Sequence, residues 1–249
     1  MNDDIVLNRG RLRAVGLTFD IDWAPDYVLQ PLLQRLTDAQ VQVTLFVTHR
    51  TSLLDGLDPT RFELALHPNL QDSLSLGQTL APLRDYLPNA NGVRFHRLVQ
   101  STPLLGELGQ AGLLYDASQL VPYQPHLQPY TFPPPLVRIP YHWEDDVHAM
   151  GGRPWTHDHL GLGSEGLKIF DFHPIHVFLN SQDLSRYKAA KAIGFEPSGT
   201  AALRNPGAGT AEALEILLAR IQNEAVQTYR LQELAQAVRA GQITDGCRP

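Results

Sequence analysis

Short apolar runs alternate with stretches of helical periodicity along most of the chain. The runs are rich in β-branched and aromatic residues, which is typical of buried strands, whereas the longer stretches repeat apolar residues every three or four positions. The first helical stretch opens near Pro25 and places Val28, Leu32 and Leu36 on one face. The clearest strands are LRAVGLTF (12–19), VQVTLFV (41–47), RFELAL (61–66) and LKIFDF (167–172).

The alternation of strands with helices predicts βα units and a parallel sheet. About seven strands follow one another without a linker or an internal repeat, which favours an α/β fold of the distorted (β/α)7-type barrel class. No glycine-rich phosphate loop follows the first strand, so a dinucleotide-binding fold has little support. We expect one domain over residues 1–249, with residues 180–210 forming an irregular excursion over the surface.

Composition narrows the function classes. The chain has 249 residues, of which 43% are hydrophobic, enough for one sizeable core. A formal net charge of −6 argues against a nucleic-acid partner. One cysteine excludes an intrachain disulfide, and no apolar run reaches the roughly 18 residues of a membrane span. The first residues lack the layout of a signal peptide, so a cytoplasmic protein without membrane insertion is expected.

Carboxylates and imidazoles follow the predicted strands, at the point where each strand ends. In a (β/α) barrel these ends converge on one face, where active sites lie. Side chains that are far apart in sequence can therefore share one pocket. The residues concerned are Asp20, Asp22, His49, His67, His96, Asp145, Asp146 and His173.

Aspartates and histidines on one face suit a metal-dependent hydrolase. Zn²⁺ and similar ions bind histidine nitrogens and aspartate oxygens, and a catalytic site leaves a position open for water. The ion lowers the pKa of that water towards ~7 and polarises a substrate carbonyl. No G-x-S-x-G motif occurs, and the single cysteine, Cys247, is close to the terminus, so a serine or cysteine nucleophile is not indicated.

Three segments resemble the motifs of polysaccharide deacetylases, the NodB-homology family also called carbohydrate esterase family 4. Residues 18–22 (TFDID) resemble the first motif, residues 65–67 (ALH) the second, and residues 172–174 (FHP) the last. The resemblance implies that Asp20 is the general base and that Asp22 and His67 bind the metal. It also implies that His173 is the general acid for the departing amine.

Further segments resemble a WbmS-like bacterial subgroup linked to O-antigen genes. They are VTH (47–49), HPN (67–69), VRFH (93–96) and RIPYHWEDD (138–146), and the whole resemblance runs from about residue 12 to 180. It implies removal of an N-acetyl group from an acetamido sugar during cell-surface polysaccharide synthesis. The implied cofactor is a divalent metal, with zinc preferred and cobalt, nickel, iron or manganese as alternatives.

The second motif departs from the family pattern. The family carries another histidine four residues after the first, and this chain has Gln71 there. His96 or His49, each at a neighbouring strand end, can supply the third protein ligand. We favour His96, because its strand adjoins the third one in a sequential barrel. A site with only Asp22 and His67 is the remaining option and would hold its metal more weakly.

Other polar and aromatic residues near the strand ends are expected to bind substrate or to orient the catalytic groups. Trp143 suits the wall of a sugar pocket, although core packing explains it almost as well. His176 has a structural alternative as a core histidine, and His157 and His159 are expected at the surface. The full set of binding or orienting candidates is His49, Asn69, Arg94, Trp143, Asp145, Asp146 and His176.

Two other functions stay open at this point. The first is a metal-dependent hydrolase of another amide or of a phosphate ester, built on the same ligands. The second is a catalytically silent sugar-binding barrel, a hypothesis motivated by Gln71 in place of a histidine. The sequence leaves the sugar, the metal and the oligomeric state open.

Overall fold

The structure is a computed structural model that describes residues 5–8, 13–71, 74–156 and 160–244. His157, His159 and Cys247 lie outside the described residues. Among the described helices, none is both long and apolar enough to cross a membrane.

Strands and helices alternate over most of the described chain. The strands are β1 (Ile5–Val6), β2 (Ala14–Asp20), β3 (Val43–Val47), β4 (Phe62–Leu66), β5 (Gly92–Val93), β6 (Tyr115–Asp116), β7 (Tyr130–Thr131), β8 (Val137–Arg138), β9 (Trp143–Glu144), β10 (Ile169–Phe172), β11 (Gln227–Tyr229) and β12 (Ile243–Thr244). The helices are α1 (Asp26–Ala39), α2 (Leu76–Tyr86), α3 (Thr102–Gln110), α4 (Asp145–Met150), α5 (Pro174–Leu179), α6 (Ser185–Ala192), α7 (Pro197–Ala202), α8 (Thr210–Asn223) and α9 (Leu231–Arg239).

The main sheet is parallel and strongly curled. Its order is β8-β6-β5-β4-β3-β2-β10-β9, with β7 antiparallel to β8 at one edge. In a flat sheet β8 and β9 would lie about 34 Å apart, at ~4.8 Å for each neighbouring strand. The chain from Arg138 to Trp143 spans about 18 Å at most when fully extended. The sheet therefore curls until its two edges adjoin, which confirms the predicted distorted (β/α) barrel.

The barrel is distorted where β11 lies beside the beginning of β2. β11 pairs with Ala14–Gly16, and β3 pairs with Thr18–Asp20, both in parallel. On its other side β2 pairs with β10 along residues 16–19. All seven residues of β2 are buried. The strand that carries Asp20 is therefore fully enclosed within the sheet.

Helices cover the outside of the curled sheet through apolar faces. In α1 the buried residues include Val28, Leu32 and Leu36, at the helical spacing seen in the sequence. Helix α2 begins with a capping box, in which the side chains of Ser75 and Gln78 each accept a hydrogen bond from the other's backbone N–H.

Residues 180–210 are not irregular throughout, which corrects the prediction for this segment. They contain α6 and α7. The Asn180 side chain fixes the ends of the segment, because its Nδ2 donates to the carbonyls of Asn205 and Gly207 and its Oδ1 accepts from the N–H of Ala211. In α6 only Ala190 is buried. A helix without an apolar stripe gives no periodic signal in the sequence.

Candidate metal centre and active site

The candidate site lies where five strands of the barrel end. Asp20 is the last residue of β2, and His67 follows β4 directly. Arg94 follows β5, Asp145 follows β9 and His173 follows β10. All five side chains are buried. The parallel sheet thus brings together residues that are more than 150 positions apart in the sequence.

A tight turn after β2 aims Asp22 at this face. The N–H of Ala24 donates to the carbonyl of Ile21 at 2.7 Å, which closes a turn over Asp22 and Trp23. Both central residues have positive φ, 40° and 54°, and neither is glycine. Such conformations cost about 1–3 kcal/mol each and persist where the surroundings impose them. Here the Trp23 N–H donates to Thr48 Oγ1 at 2.9 Å, which ties the turn to the end of β3.

Asp22, His67 and His96 form a compact group of side chains that could hold a metal ion, the candidate metal group. Asp22 Oδ1 lies 3.1 Å from His67 Nε2 and 3.1 Å from His96 Nδ1. The Nδ1–H of His67 donates to the carbonyl of Arg94 at 2.8 Å, so Nε2 is the nitrogen that faces the group. Two ligand atoms bound to a tetrahedral Zn²⁺ at ~2.0–2.1 Å lie about 3.3 Å apart. The three side chains therefore fit one divalent ion in donor type and spacing.

The charges in this group also favour a cation. Burial opposes ionisation of Asp22, but hydrogen bonds from His67 and His96 hold the pKa of its carboxyl far below the ordinary value. Burial opposes protonation of His67, but the adjacent Asp20 and Asp22 carboxylates raise the pKa of its imidazole. The carboxylates beside His67 therefore favour a positive charge next to Asp22. A bound metal ion would replace the proton on Nε2 of His67.

Asp20 lies between the candidate metal group and a buried arginine. Its Oδ2 lies 3.4 Å from His67 Nε2, and its Oδ1 lies 2.8 Å from Arg94 Nη1. With one oxygen held by Arg94, the other is directed towards the group that fits the metal. This is the arrangement required of a general base beside a bound water.

Arg94 is fully buried inside the barrel. Its guanidinium lies between the rings of Phe46 and Tyr141, at 4.2 and 4.3 Å from their centroids. Its Nε donates to the carbonyl of Ala117 at 3.1 Å. The rings and hydrogen bonds fix the guanidinium plane. Arg94 therefore orients Asp20 from within the core and does not reach the opening of the barrel.

Asp171 is a buried residue that the sequence-based prediction missed. It lies in the middle of β10, pairs with Thr18 of β2 and contacts Nη1 of Arg94. Thr18 Oγ1 donates to its Oδ1 at 2.6 Å. Burial raises the pKa of Asp171 to about 7, against the lowering effect of Arg94. One acidic residue within the apolar run LKIFDF is the signal that would have indicated it.

His173 is fixed by Asp145 through two hydrogen bonds. The backbone N–H of His173 donates to Asp145 Oδ2 at 2.9 Å, and its Nδ1 lies 2.7 Å from Asp145 Oδ1. Its Nε2 faces Asp22 Oδ2 at 3.7 Å. Burial opposes protonation, but the Asp145 carboxylate raises the pKa of His173 well above the ordinary value. Asp145 therefore both orients the His173 ring and favours its protonated form.

Glu144, Asp146 and His176 surround His173. Glu144 and Asp146 each bring a carboxylate oxygen to within 4.8 Å of a His173 nitrogen. Glu144 accepts a hydrogen bond from the Tyr141 hydroxyl at 2.7 Å, and its pKa is raised well above the ordinary value, by burial first and then by Asp146. His176 Nδ1 lies 2.9 Å from Ser181 Oγ, and burial lowers its pKa. His176 is thus a neutral neighbour behind His173.

Residues 17–191 match the WbmS-like polysaccharide deacetylase family. The chain belongs to this family. A solved Bordetella bronchiseptica protein, described as a polysaccharide deacetylase involved in O-antigen biosynthesis, is 37% identical, with a TM-score of 0.77. That similarity covers 85% of this chain and 91% of the Bordetella chain. Among curated proteins, none matches this sequence.

Two more distant structures share the fold. A polysaccharide deacetylase from Mycobacterium smegmatis has 17% identity and a TM-score of 0.59, over 99% of this chain and 98% of that chain. A family 4 carbohydrate esterase from Bacillus anthracis has 15% identity and a TM-score of 0.51, over 95% and 88% of the two chains. The barrel of this WbmS-like chain thus shares the fold of a family 4 carbohydrate esterase.

Among the binding candidates of this WbmS-like chain, Trp143 is placed differently from the prediction. Its side chain is 1% exposed, and its ring packs against Phe170, Phe172 and Trp155. Its Nε1 donates to His148 Nδ1 at 3.1 Å. A residue so enclosed cannot contact a sugar. Trp143 is a core residue, because β9 directs it inwards between β10 and the loop that carries Trp155.

His49 and Asn69 lie outside the candidate metal group. His49 Nδ1 lies 2.9 Å from Thr48 Oγ1, the hydroxyl that accepts from the Trp23 N–H. Asn69 is exposed two residues beyond His67. Their roles in substrate binding stay predictions. Trp23, which the sequence-based prediction did not single out, lies exposed beside His96.

Proposed function

We propose that this WbmS-like protein is a metal-dependent N-deacetylase that acts on an acetamido sugar of a cell-surface polysaccharide. The observation that carries the proposal is the position of Asp22, within 3.1 Å of two imidazole nitrogens, between Asp20 and His173. A base, a metal-binding group and a protonated imidazole side by side are what amide hydrolysis requires. The description of the 37% identical Bordetella protein supports a polysaccharide substrate.

Asp22, His67 and His96 would hold the metal. Their nitrogen and oxygen donors suit zinc, and cobalt, nickel, iron and manganese accept the same set. When bound, the ion supplies Lewis-acid activation of water and of the amide carbonyl. His96 would be the third protein ligand, instead of the second-motif histidine that Gln71 replaces in this chain.

The protein's own side chains move the protons. Asp20, held by Arg94, takes a proton from the attacking water as the new C–O bond forms. His173, held by Asp145, gives its Nε2 proton to the sugar nitrogen as the C–N bond breaks. Acetate and the free amino sugar result. The raised pKa of His173 favours the protonated imidazole that a general acid requires.

The test is acetate release by protein loaded with zinc, and in parallel with cobalt, nickel, iron or manganese. The substrates are 2-acetamido sugars of gluco, galacto and manno configuration and an acetylated oligosaccharide of each. We expect the Asp20→Asn variant to bind one metal ion per chain and to lose about 10²–10⁴-fold in kcat. Asp38→Asn, an exposed carboxylate on α1, is the matched control and should behave as wild type.

Three results would contradict the proposal. Full activity of Asp20→Asn would remove the base. Absence of stoichiometric metal, with equal sugar binding by wild type and Asp22→Ala, would indicate a silent sugar-binding barrel. Hydrolysis of cyclic amides or phosphate esters without release of acetate from any sugar would indicate a different metal-dependent hydrolase.

A further inference from the structure

Trp23 is an exposed aromatic residue at the edge of the candidate metal group. Its side chain is 47% exposed, whereas Trp143 is 1% and Trp155 8% exposed. It directly follows Asp22, and its ring centroid lies 5.1 Å from that of His96. An exposed indole ring therefore lies beside His96, one of the side chains that could hold the metal.

The backbone holds Trp23 in this place at a conformational cost. Its φ of 54° lies in the left-handed region, which a bulky residue rarely adopts. The hydrogen bond to Thr48 and the turn closed by Ala24 impose this conformation. The ring meets His96 edge to face, at an interplanar angle of 82°. The two rings therefore do not stack, and a large part of the indole surface stays open to solvent.

We propose that Trp23 is the platform for the substrate's pyranose ring, a subsite that places the acetamido group over the metal-binding residues. The C–H groups on one face of a pyranose carry partial positive charge and pack on the electron-rich face of an indole. The ring-bound amide then extends from the indole towards Asp22 and His96. This inference rests on the proposed function and identifies the pyranose ring as the part of the substrate that Trp23 binds.

The opposing explanation is that Trp23 only supports His96. Packing alone does not require 47% exposure in a strained turn, because a buried ring would support His96 equally well. The two explanations differ in what a smaller side chain changes. Loss of a platform weakens sugar binding, whereas loss of support weakens metal binding.

The experiment compares Trp23→Ala and Trp23→Phe with wild type, all loaded with zinc, on the same panel of 2-acetamido sugars. Phe132→Ala is the matched control. Phe132 is 49% exposed, and its N–H donates to the carbonyl of Leu136 at the amino end of β8, away from the site. Steady-state kinetics, zinc content and tryptophan emission during sugar titration are measured. Titrations use the Asp20→Asn background, so that bound sugar is not hydrolysed.

We expect Trp23→Ala to raise KM about five- to tenfold, with kcat within about threefold of wild type and one zinc per chain. Trp23→Phe should recover most of the loss in KM, and Phe132→Ala should leave KM unchanged. Sugar should shift the tryptophan emission of the Asp20→Asn protein, and the shift should vanish when Trp23→Phe is added, since Trp143 and Trp155 are buried.

An unchanged KM in Trp23→Ala overturns the platform. Loss of zinc in parallel with loss of activity also overturns it, in favour of support for His96. If wild type hydrolyses no sugar of the panel, the proposed function fails, and the emission titration alone decides the platform. A sugar-dependent shift that requires Trp23 would then support it, and its absence would overturn it.

Discussion

Arg94 Nη1 lies 2.8 Å from Asp20 Oδ1, and this contact joins the residue beyond β5 to the end of β2 inside the barrel. The same nitrogen contacts Asp171, so one buried guanidinium pairs with two buried carboxyl groups. Breaking a buried ion pair by removing one partner leaves uncompensated charge in a poorly solvated place. The orientation of Asp20, the proposed base, and the stability of the core therefore depend on one guanidinium.

Replacing Arg94 should cost both stability and turnover. We expect Arg94→Met to lower the free energy of unfolding by about 3–5 kcal/mol, because Asp20 and Asp171 lose their partner. Urea unfolding measures this, and kcat of the zinc-loaded variant should fall at least about 100-fold. Arg35→Met is the control, since Arg35 pairs with Glu215 at the surface and should cost less than about 1 kcal/mol. Equal losses in the two variants would contradict the role assigned to Arg94.

Asp171 should make stability fall as pH rises towards neutrality. Burial raises its pKa to about 7 from an ordinary 3.8, so between these values the folded protein holds a proton that the unfolded chain releases. Its contribution is present at low pH and is lost as pH rises through 7, by at most about 1.4 kcal/mol per pH unit. Urea unfolding at pH 5, 6 and 7 should show Asp171→Asn gaining stability relative to wild type with rising pH. A constant difference would show that Asp171 does not titrate in this range.

The Asp145→Asn variant should shift the alkaline limb of the pH–activity profile. The Asp145 carboxylate is the main group that raises the pKa of His173 against the effect of burial. Without that charge His173 loses its proton at lower pH, so kcat/KM should begin to fall about one pH unit or more earlier. Asp183→Asn, at the surface between α5 and α6, should leave the limb in place. If kcat/KM instead falls by the same factor at every pH, Asp145 orients His173 without raising its pKa.

The affinity for zinc can show whether His96 or His49 is the third metal ligand. We expect His96→Gln to weaken zinc binding at least about 100-fold, more than the loss of a supporting residue usually costs. His49→Gln should change it less than about threefold, because His49 contacts Thr48 and lies outside the Asp22 group. Competition with a chelator gives both constants. The reverse order would assign the third ligand to His49.

Trp143 should matter for stability and not for substrate affinity. Trp143→Ala should lower the free energy of unfolding by about 3–5 kcal/mol through the cavity it leaves. The milder Trp143→Phe keeps most of the packing and should keep the sugar KM of wild type. A raised KM in Trp143→Phe, with unchanged stability, would show that Trp143 does contribute to substrate binding.

The sequence was sufficient to predict the barrel and most of the residues that meet at its carboxyl ends. Each strand has a strong apolar pattern, and parallel strands in one sheet present their ends on one face. That logic brings Asp20, Asp22, His67 and His173 together without any knowledge of distances. It also favoured His96, because the strand before it neighbours β4 in the sheet.

Other features follow from contacts that have no local pattern. Asp171 is one letter within an apolar strand, and its partner Arg94 is 77 positions away. Trp143 follows a proline-rich loop, so the inward or outward direction of its side chain is set by the crossing from β8 to β9. In helix α6 only Ala190 is buried, so the helix has no apolar stripe. In each case the deciding interaction is long-range or absent from the sequence pattern.

The position of β11 beside the first residues of β2 has a consequence for the order in which the protein is made. Ala14–Gly16 are synthesised about 200 residues before their partner strand, Gln227–Tyr229. At ~5–20 residues per second, at least ten seconds pass between the synthesis of β2 and that of β11, and the two strands cannot pair before then. The turn with Asp22 and Trp23 continues directly from β2. A nascent chain released before residue 227 would therefore hold every proposed catalytic residue and still lack the strand that completes the frame behind them.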